Sequence, residues 1–118
     1  MQKLCDIADL PRFVAGVVCA VEQVIEQQTF IVVRLGSTDD EDVRVYLNQC
    51  PHLGVALNWQ PDRFLDSSEE FLICSTHGAL FLPNNGYCVQ GPCAGKHLKA
   101  VPFVVKDAAL YLQHADAS

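Results

Sequence analysis

Two mixed pairs of possible metal ligands lie in the middle of this 118-residue chain: Cys50-Pro51-His52-Leu53-Gly54, then 19 residues, then Cys74-Ser75-Thr76-His77-Gly78. Thiolate and neutral imidazole are both good donors to transition metals, and each pair brings one of each on a short segment. Structural zinc usually collects its ligands like with like, two close Cys followed by two close His. Here each pair is mixed instead, which suits a two-iron centre whose irons differ, because each pair can give one residue to each iron. Zinc stays open on ligand type alone, since the two ligand sets overlap.

The spacing resembles that of the Rieske [2Fe–2S] family. Its signature, Cys-x-His-x-Gly followed by Cys-x-x-His-Gly, is met at Cys50, His52, Gly54, Cys74, His77 and Gly78, and a third loop typical of the family follows as Gly86-Tyr87-Cys88-Val89-Gln90-Gly91-Pro92. The resemblance implies one [2Fe–2S] cluster per chain, with Cys50 and Cys74 on the inner iron and His52 and His77 on the outer one. It also implies an all-β fold of stacked antiparallel sheets, a single domain over residues 1–118, and a small cluster-binding lobe at about residues 50–90. Gly54, Gly78 and Gly91 would allow positive φ or close backbone approach, and Pro51 and Pro92 would stiffen the covering loops.

The implied function is one-electron transfer by a Rieske-type ferredoxin, from a reductase to an oxygenase or other terminal oxidoreductase, with no catalytic residues of its own. Two other readings stand beside it: the small subunit of a nitrite reductase-like complex, and a zinc-stabilised interaction module. Within the family, high-potential members link the two ligand loops by a disulfide. The corresponding positions here are Val55 and Thr76, which cannot form one, and Phe81 is apolar where a second-sphere hydroxyl would help. Both departures imply a low-potential cluster, since fewer donors to sulfur leave the reduced form less stabilised.

Composition bounds the alternatives. The chain is 50% hydrophobic and 19% charged, a globular balance at a length that suits one domain and leaves no room for a second catalytic one. Lys3 is followed at once by Asp6 and Asp9 without an apolar run, so no signal peptide is expected, and Phe13 to Val21 is too short to span a bilayer. A cytoplasmic location follows as an expectation, and with it six cysteines kept reduced. Net charge is −6, with clusters at Asp39-Asp40-Glu41-Asp42 and Asp66, Glu69, Glu70, which makes nucleic acid and anionic membrane poor partners and a basic protein the natural one. Nothing in the pattern specifies an oligomeric state.

The elements that must position these ligands read as short strands. Lys3 to Ile7 alternates as a first strand before a turn at Asp9-Leu10-Pro11. Phe13 to Val21 and Thr29 to Leu35 are strand-length β-branched runs, the second buried. Val43, Val45 and Leu47 alternate with Arg44, Tyr46 and Asn48, the pattern of a half-buried strand delivering Cys50 to its loop. Phe71 to Cys74 and Ala79 to Leu82 flank the second pair, Asn84-Asn85-Gly86 turns a hairpin, and a last hairpin runs from Leu98 to Leu112 with its turn at Lys106-Asp107. Between the pairs, Trp59, Arg63 and Phe64 lie on a segment without clean period, read as a solvated loop packed by its own aromatics. Cys88 and Cys93 are expected to be unligated loop thiols, Cys5 and Cys19 core residues, and His97 and His114 surface histidines.

Overall fold

Short β-branched runs separated by turns give nine strands and no α-helix among the described residues. The computed structural model describes residues 2–10, 18–25, 28–35, 43–49, 51, 56–57, 64–66, 70–74, 78–92 and 94–112. β1 (Gln2–Asp6) runs into one 3-10 turn at Ile7–Asp9. β2 (Cys19–Ile25), β3 (Gln28–Arg34) and β4 (Val43–Leu47) form an antiparallel sheet in that order. β5 (Leu72–Ile73), β6 (Leu80–Phe81) and β7 (Cys88–Gln90) form a second sheet. β8 (Phe103–Lys106) and β9 (Ala109–Leu112) pair as a hairpin, and β9 also pairs with β1 to complete a third.

The β2-β3-β4 sheet lies in the middle, because both of its faces are apolar. Phe30, Val32, Val43 and Val45 pack on Leu4, Cys5, Leu110 and Leu112 of the β1-β9-β8 sheet and on Ile7 of the 3-10 turn. Ile31, Val33 and Tyr46 point the other way, into a second core with Leu57, Phe64, Leu72, Cys74, Phe81, Cys88 and Leu98. Strands buried on both faces read as continuous apolar runs, which is why Phe30-Ile31-Val32-Val33 shows no alternation. The expectation that this strand is buried is met.

Three sequence expectations need correction here. The strand expected over Phe13 to Val21 runs further, since β2 continues to Ile25, with Glu22 paired to Ile31 and Gln23 to Phe30. A strand at a sheet edge needs apolar residues on only one face, so a charge does not end it; residues 11–17 lie outside the described residues. Tyr46 and Asn48 were assigned to the wetter face of β4, yet both are buried, because a second layer covers that face. The segment before β5 is also more ordered than a solvated loop: Phe64 is fully buried, Leu65 bridges to Leu72, and Asp66 Oδ1 accepts from the Glu70 and Phe71 amides. Trp59 and Arg63 lie outside the described residues.

Candidate metal centre

The first ligand loop leaves the end of β4 and is tied at its base. The Asn48 amide donates to Thr29 O at 2.9 Å, and the buried Asn48 side chain accepts from the Leu57 amide at 2.8 Å. The two ends of the segment that carries Cys50, His52 and Gly54 are therefore tied together. Pro51 is half-buried in this span, while Cys50, His52 and Gly54 lie outside the described residues.

The second loop joins β5 to β6. Cys74 ends β5 with its side chain fully buried, its amide donates to Ala79 O at 2.9 Å, and its carbonyl accepts from the Gly78 amide at 2.8 Å. These two bonds close a tight loop over residues 74–79, whose return requires Gly78 at φ +72°. His77 is the residue before that glycine and lies outside the described residues.

The third loop presses on the second. Gly91 has φ +112°, and a Cβ there would stand 2.7 Å from the Ala79 Cα, nearer than atoms can approach. Glycine is thus needed at 91 for both conformation and contact. Pro92 stays on the exposed outside of this loop.

Tyr46 ties this lobe to the central sheet. Its hydroxyl donates to Pro83 O at 2.7 Å, and its ring lies where a Cβ on Gly86 would come within 3.0 Å. Burial pushes the Tyr46 phenol up to about 12, partly opposed by the Arg44 charge. Beside it, Leu47 donates to Lys99 O and Leu98 to Gly86 O, so residues 98–101 run along the outer edge of β4. Sequence reasoning missed Asn48, Tyr46 and Ala79 as supports; the only signal was a tyrosine near the end of β4 and a polar residue just beyond it.

Of the remaining cysteines, Cys88 departs from expectation. It lies on β7 with its side chain buried and its Sγ 3.3 Å from Gln90 O, so it is a core thiol rather than a loop thiol. Cys93 lies outside the described residues. Cys5 is buried as expected and its thiol is pushed up to about 11, chiefly by burial. Cys19 is half-buried, its thiol also raised by burial. His97 is exposed, as expected, and His114 lies outside the described residues.

Among the four expected ligands the structure thus describes Cys74. Its burial at the mouth of a closed loop fits an anionic sulfur ligand shielded from water, and the chemistry of the set, two thiols and two imidazoles, fits two unlike irons. The profile of the Rieske [2Fe–2S] domain matches residues 1–107. The chain belongs to the Rieske [2Fe–2S] domain family. A Rieske domain carries a [2Fe–2S] cluster and serves as an electron carrier, the protein supplying binding, orientation and electrostatics.

Solved structures agree on the Rieske fold. A chain in the complex of reduced oxygenase and oxidised ferredoxin of carbazole 1,9a-dioxygenase is similar with a TM-score of 0.64 at 22% identity, over 95% of this chain and 100% of that one. The plasma membrane Rieske protein PetC3 of Synechocystis PCC 6803 gives 0.68 at 19% identity, over 96% and 99%. A protein assigned as the small subunit of a nitrite reductase (NADPH) gives 0.61 at 19% identity, over 94% and 96%. No curated protein matches the chain in sequence. Among the described residues no helix is long and apolar enough to cross a membrane.

Proposed function

We propose that this chain is a low-potential Rieske-type ferredoxin that accepts single electrons from a reductase and delivers them to an oxygenase or other redox enzyme. In this reading Cys50 and Cys74 hold one iron, His52 and His77 hold the other, and residues 1–118 form one domain whose lobe, at about residues 50–90, bears the cluster. When bound, the cluster supplies a site that takes up and releases one electron with little change of structure. The chain keeps the Cys74 sulfur dry and holds the ends of the loops by the Asn48–Leu57 and Cys74–Gly78 bonds. It also leaves the histidine pair to define the outer iron.

The observation that carries this reading is the buried Cys74 at the head of a closed Cys-x-x-His-Gly loop, in a chain whose family profile spans nearly its whole length. The likeness to a chain of an oxygenase–ferredoxin complex, over the full length of that chain, supports a free carrier. A second reading, a small subunit held in a larger reductase, is favoured by the likeness to the nitrite reductase subunit. Metal and sulfide analysis of the purified chain, followed by size measurement, tests the proposal. Two irons and two labile sulfides on a chain that purifies without a catalytic subunit are expected. Stoichiometric zinc would overturn the cluster, and obligate co-purification with a large flavin- or haem-bearing chain would favour the second reading.

A further inference from the structure

Charge is unevenly spread along the chain. Residues 71–106 contain none of the 14 acidic residues and three of the eight basic ones, Lys96, Lys99 and Lys106, although the whole carries −6. That segment includes β5, β6, β7 and the second and third loops. It is therefore a basic stretch in a negative protein, its lysines following the third loop.

On this lobe β7 turns Cys88 inward, and Tyr87 and Val89 are left 37% and 42% exposed. His97 bridges to Tyr87 across an antiparallel pair, and the two rings meet edge to face at 5.1 Å. Lys96 and Lys99 stand exposed on either side of His97 and the inward Leu98. Arg44 reaches the same turn from β4, its Nε donating to Asn84 O at 3.0 Å. The patch adjoins the ligand loop, because Gly91, just beyond β7, packs on Ala79 next to Gly78.

We propose that this face, Tyr87 and Val89 rimmed by Lys96, His97 and Lys99, docks an acidic face of a protein redox partner. The inference rests on the electron-carrier reading and adds the chemistry of the partner. A rigid tyrosine and an aliphatic side chain within a polar rim have the composition of an interface centre. Rim lysines act mainly by steering the encounter. Net charge alone points to a basic partner, but salt screens charges beyond about 8 Å at physiological ionic strength, so the field of the docking face governs the approach.

The test uses the full chain, labelled with ¹⁵N, and titrates it with three probes: a peptide alternating Glu and Leu around one Trp, its Lys counterpart, and anionic phospholipid vesicles. The acidic peptide is expected to shift the amides of residues 87–89 and 96–99, an effect lost in high salt and weakened roughly tenfold in Lys96→Glu/Lys99→Glu. Tyr87→Ala should weaken it without changing the salt dependence. Shifts that map elsewhere, that persist in the charge-reversed variant, or that the vesicles produce more strongly at the same residues would overturn the proposal.

A second readout uses the reduced cluster-bearing protein and ferricyanide, which takes one electron from the cluster and becomes ferrocyanide. Its rate is expected to fall with rising salt in the native protein, despite the net charge, and to rise with salt in Lys96→Glu/Lys99→Glu. A native rate that rises with salt would contradict the inference. A chain lacking iron and sulfide would sink the electron-carrier reading instead, while the peptide titration would still report on the docking face.

Discussion

Gly78 and Gly91 serve the same loop pair for different physical reasons. At Gly78 the positive φ matters, since among the described residues an added Cβ meets nothing within 4 Å; at Gly91 the Cβ would also collide with the backbone of Ala79. Gly78→Ala is expected to cost about 1–2 kcal/mol, the usual penalty for a left-handed alanine, and Gly91→Ala clearly more, because backbone must shift as well. Denaturant midpoints of the two variants check the order, and equal losses would mean that the third loop does not press on the second. The sequence pointed to both glycines but could not separate these causes, because the contact with Ala79 is made only once the sheet is formed. Asn48 was illegible for the same reason: a polar residue at a strand end looks solvated until the second layer closes over it.

Two buried acids add a pH dependence at the same scale. The Cys5 thiol is raised from 9.0 to about 11 and the Tyr46 phenol from 10.0 to about 12, both mainly by burial. The folded state keeps these protons after the unfolded chain has lost them, so their contribution is fully present below about pH 9 and is lost as pH rises through 11 and 12. Urea midpoints should therefore fall steadily above pH 9. Tyr46→Phe should flatten the part of the decline above pH 10, at a cost of about 1 kcal/mol at neutral pH for the lost bond to Pro83. An unchanged alkaline limb in that variant would place the titration elsewhere.

Among the elements, the β8–β9 hairpin departs most from what its own residues prefer. Asp107 and Ala108 both have positive φ, at 53° and 59°, the paired left-handed geometry of a two-residue turn that matches strand twist and favours Asn-Gly. Ala108 tolerates it because the turn is fixed from both sides: Val105 and Lys106 pair with Leu110 and Ala109, and the Ile7 amide donates to Ala108 O. Ala108→Gly keeps that carbonyl and relieves the strain, so thermal unfolding should shift upward by the equivalent of about 1 kcal/mol. A lower melting temperature would mean that the turn is not strained. The hairpin itself was legible from its apolar runs and the Lys-Asp turn, one residue early. The short strands of the lobe were legible only in outline, since two-residue strands such as β5 and β6 carry too little pattern and are held by the Leu65, Tyr46 and Gly86 contacts that the fold brings together.

For the molecule as a whole, the layered arrangement explains why a double-sided sheet underlies the site. One face of β2-β3-β4 packs on the β1-β9-β8 sheet, and the other serves as the floor on which the lobe stands. The family was readable from two Cys and two His at fixed spacing, because ligand chemistry is local in sequence. The double burial of β4 was not, because it depends on layers more than fifty residues apart in the chain, Tyr46 against Leu98 and Ala100. With Val55 and Thr76 where a loop-linking disulfide would otherwise stand, the reduction potential is expected at or below roughly −150 mV, the low end for such centres. Protein-film voltammetry reads it directly, and a clearly positive potential would rule out the low-potential class.

The central claim is that two histidines, His52 and His77, bind one iron of a two-iron cluster whose other iron is held by Cys50 and Cys74. Pulsed EPR of the dithionite-reduced protein tests it most directly, since electron spin echo modulation detects nitrogen bonded to the paramagnetic centre. Modulation from two imidazole nitrogens is expected in the native protein, with one lost in His77→Cys and its potential lowered by the added thiolate charge. A signal without directly bound nitrogen, or a His77→Cys spectrum identical to that of the native protein, would contradict the assignment.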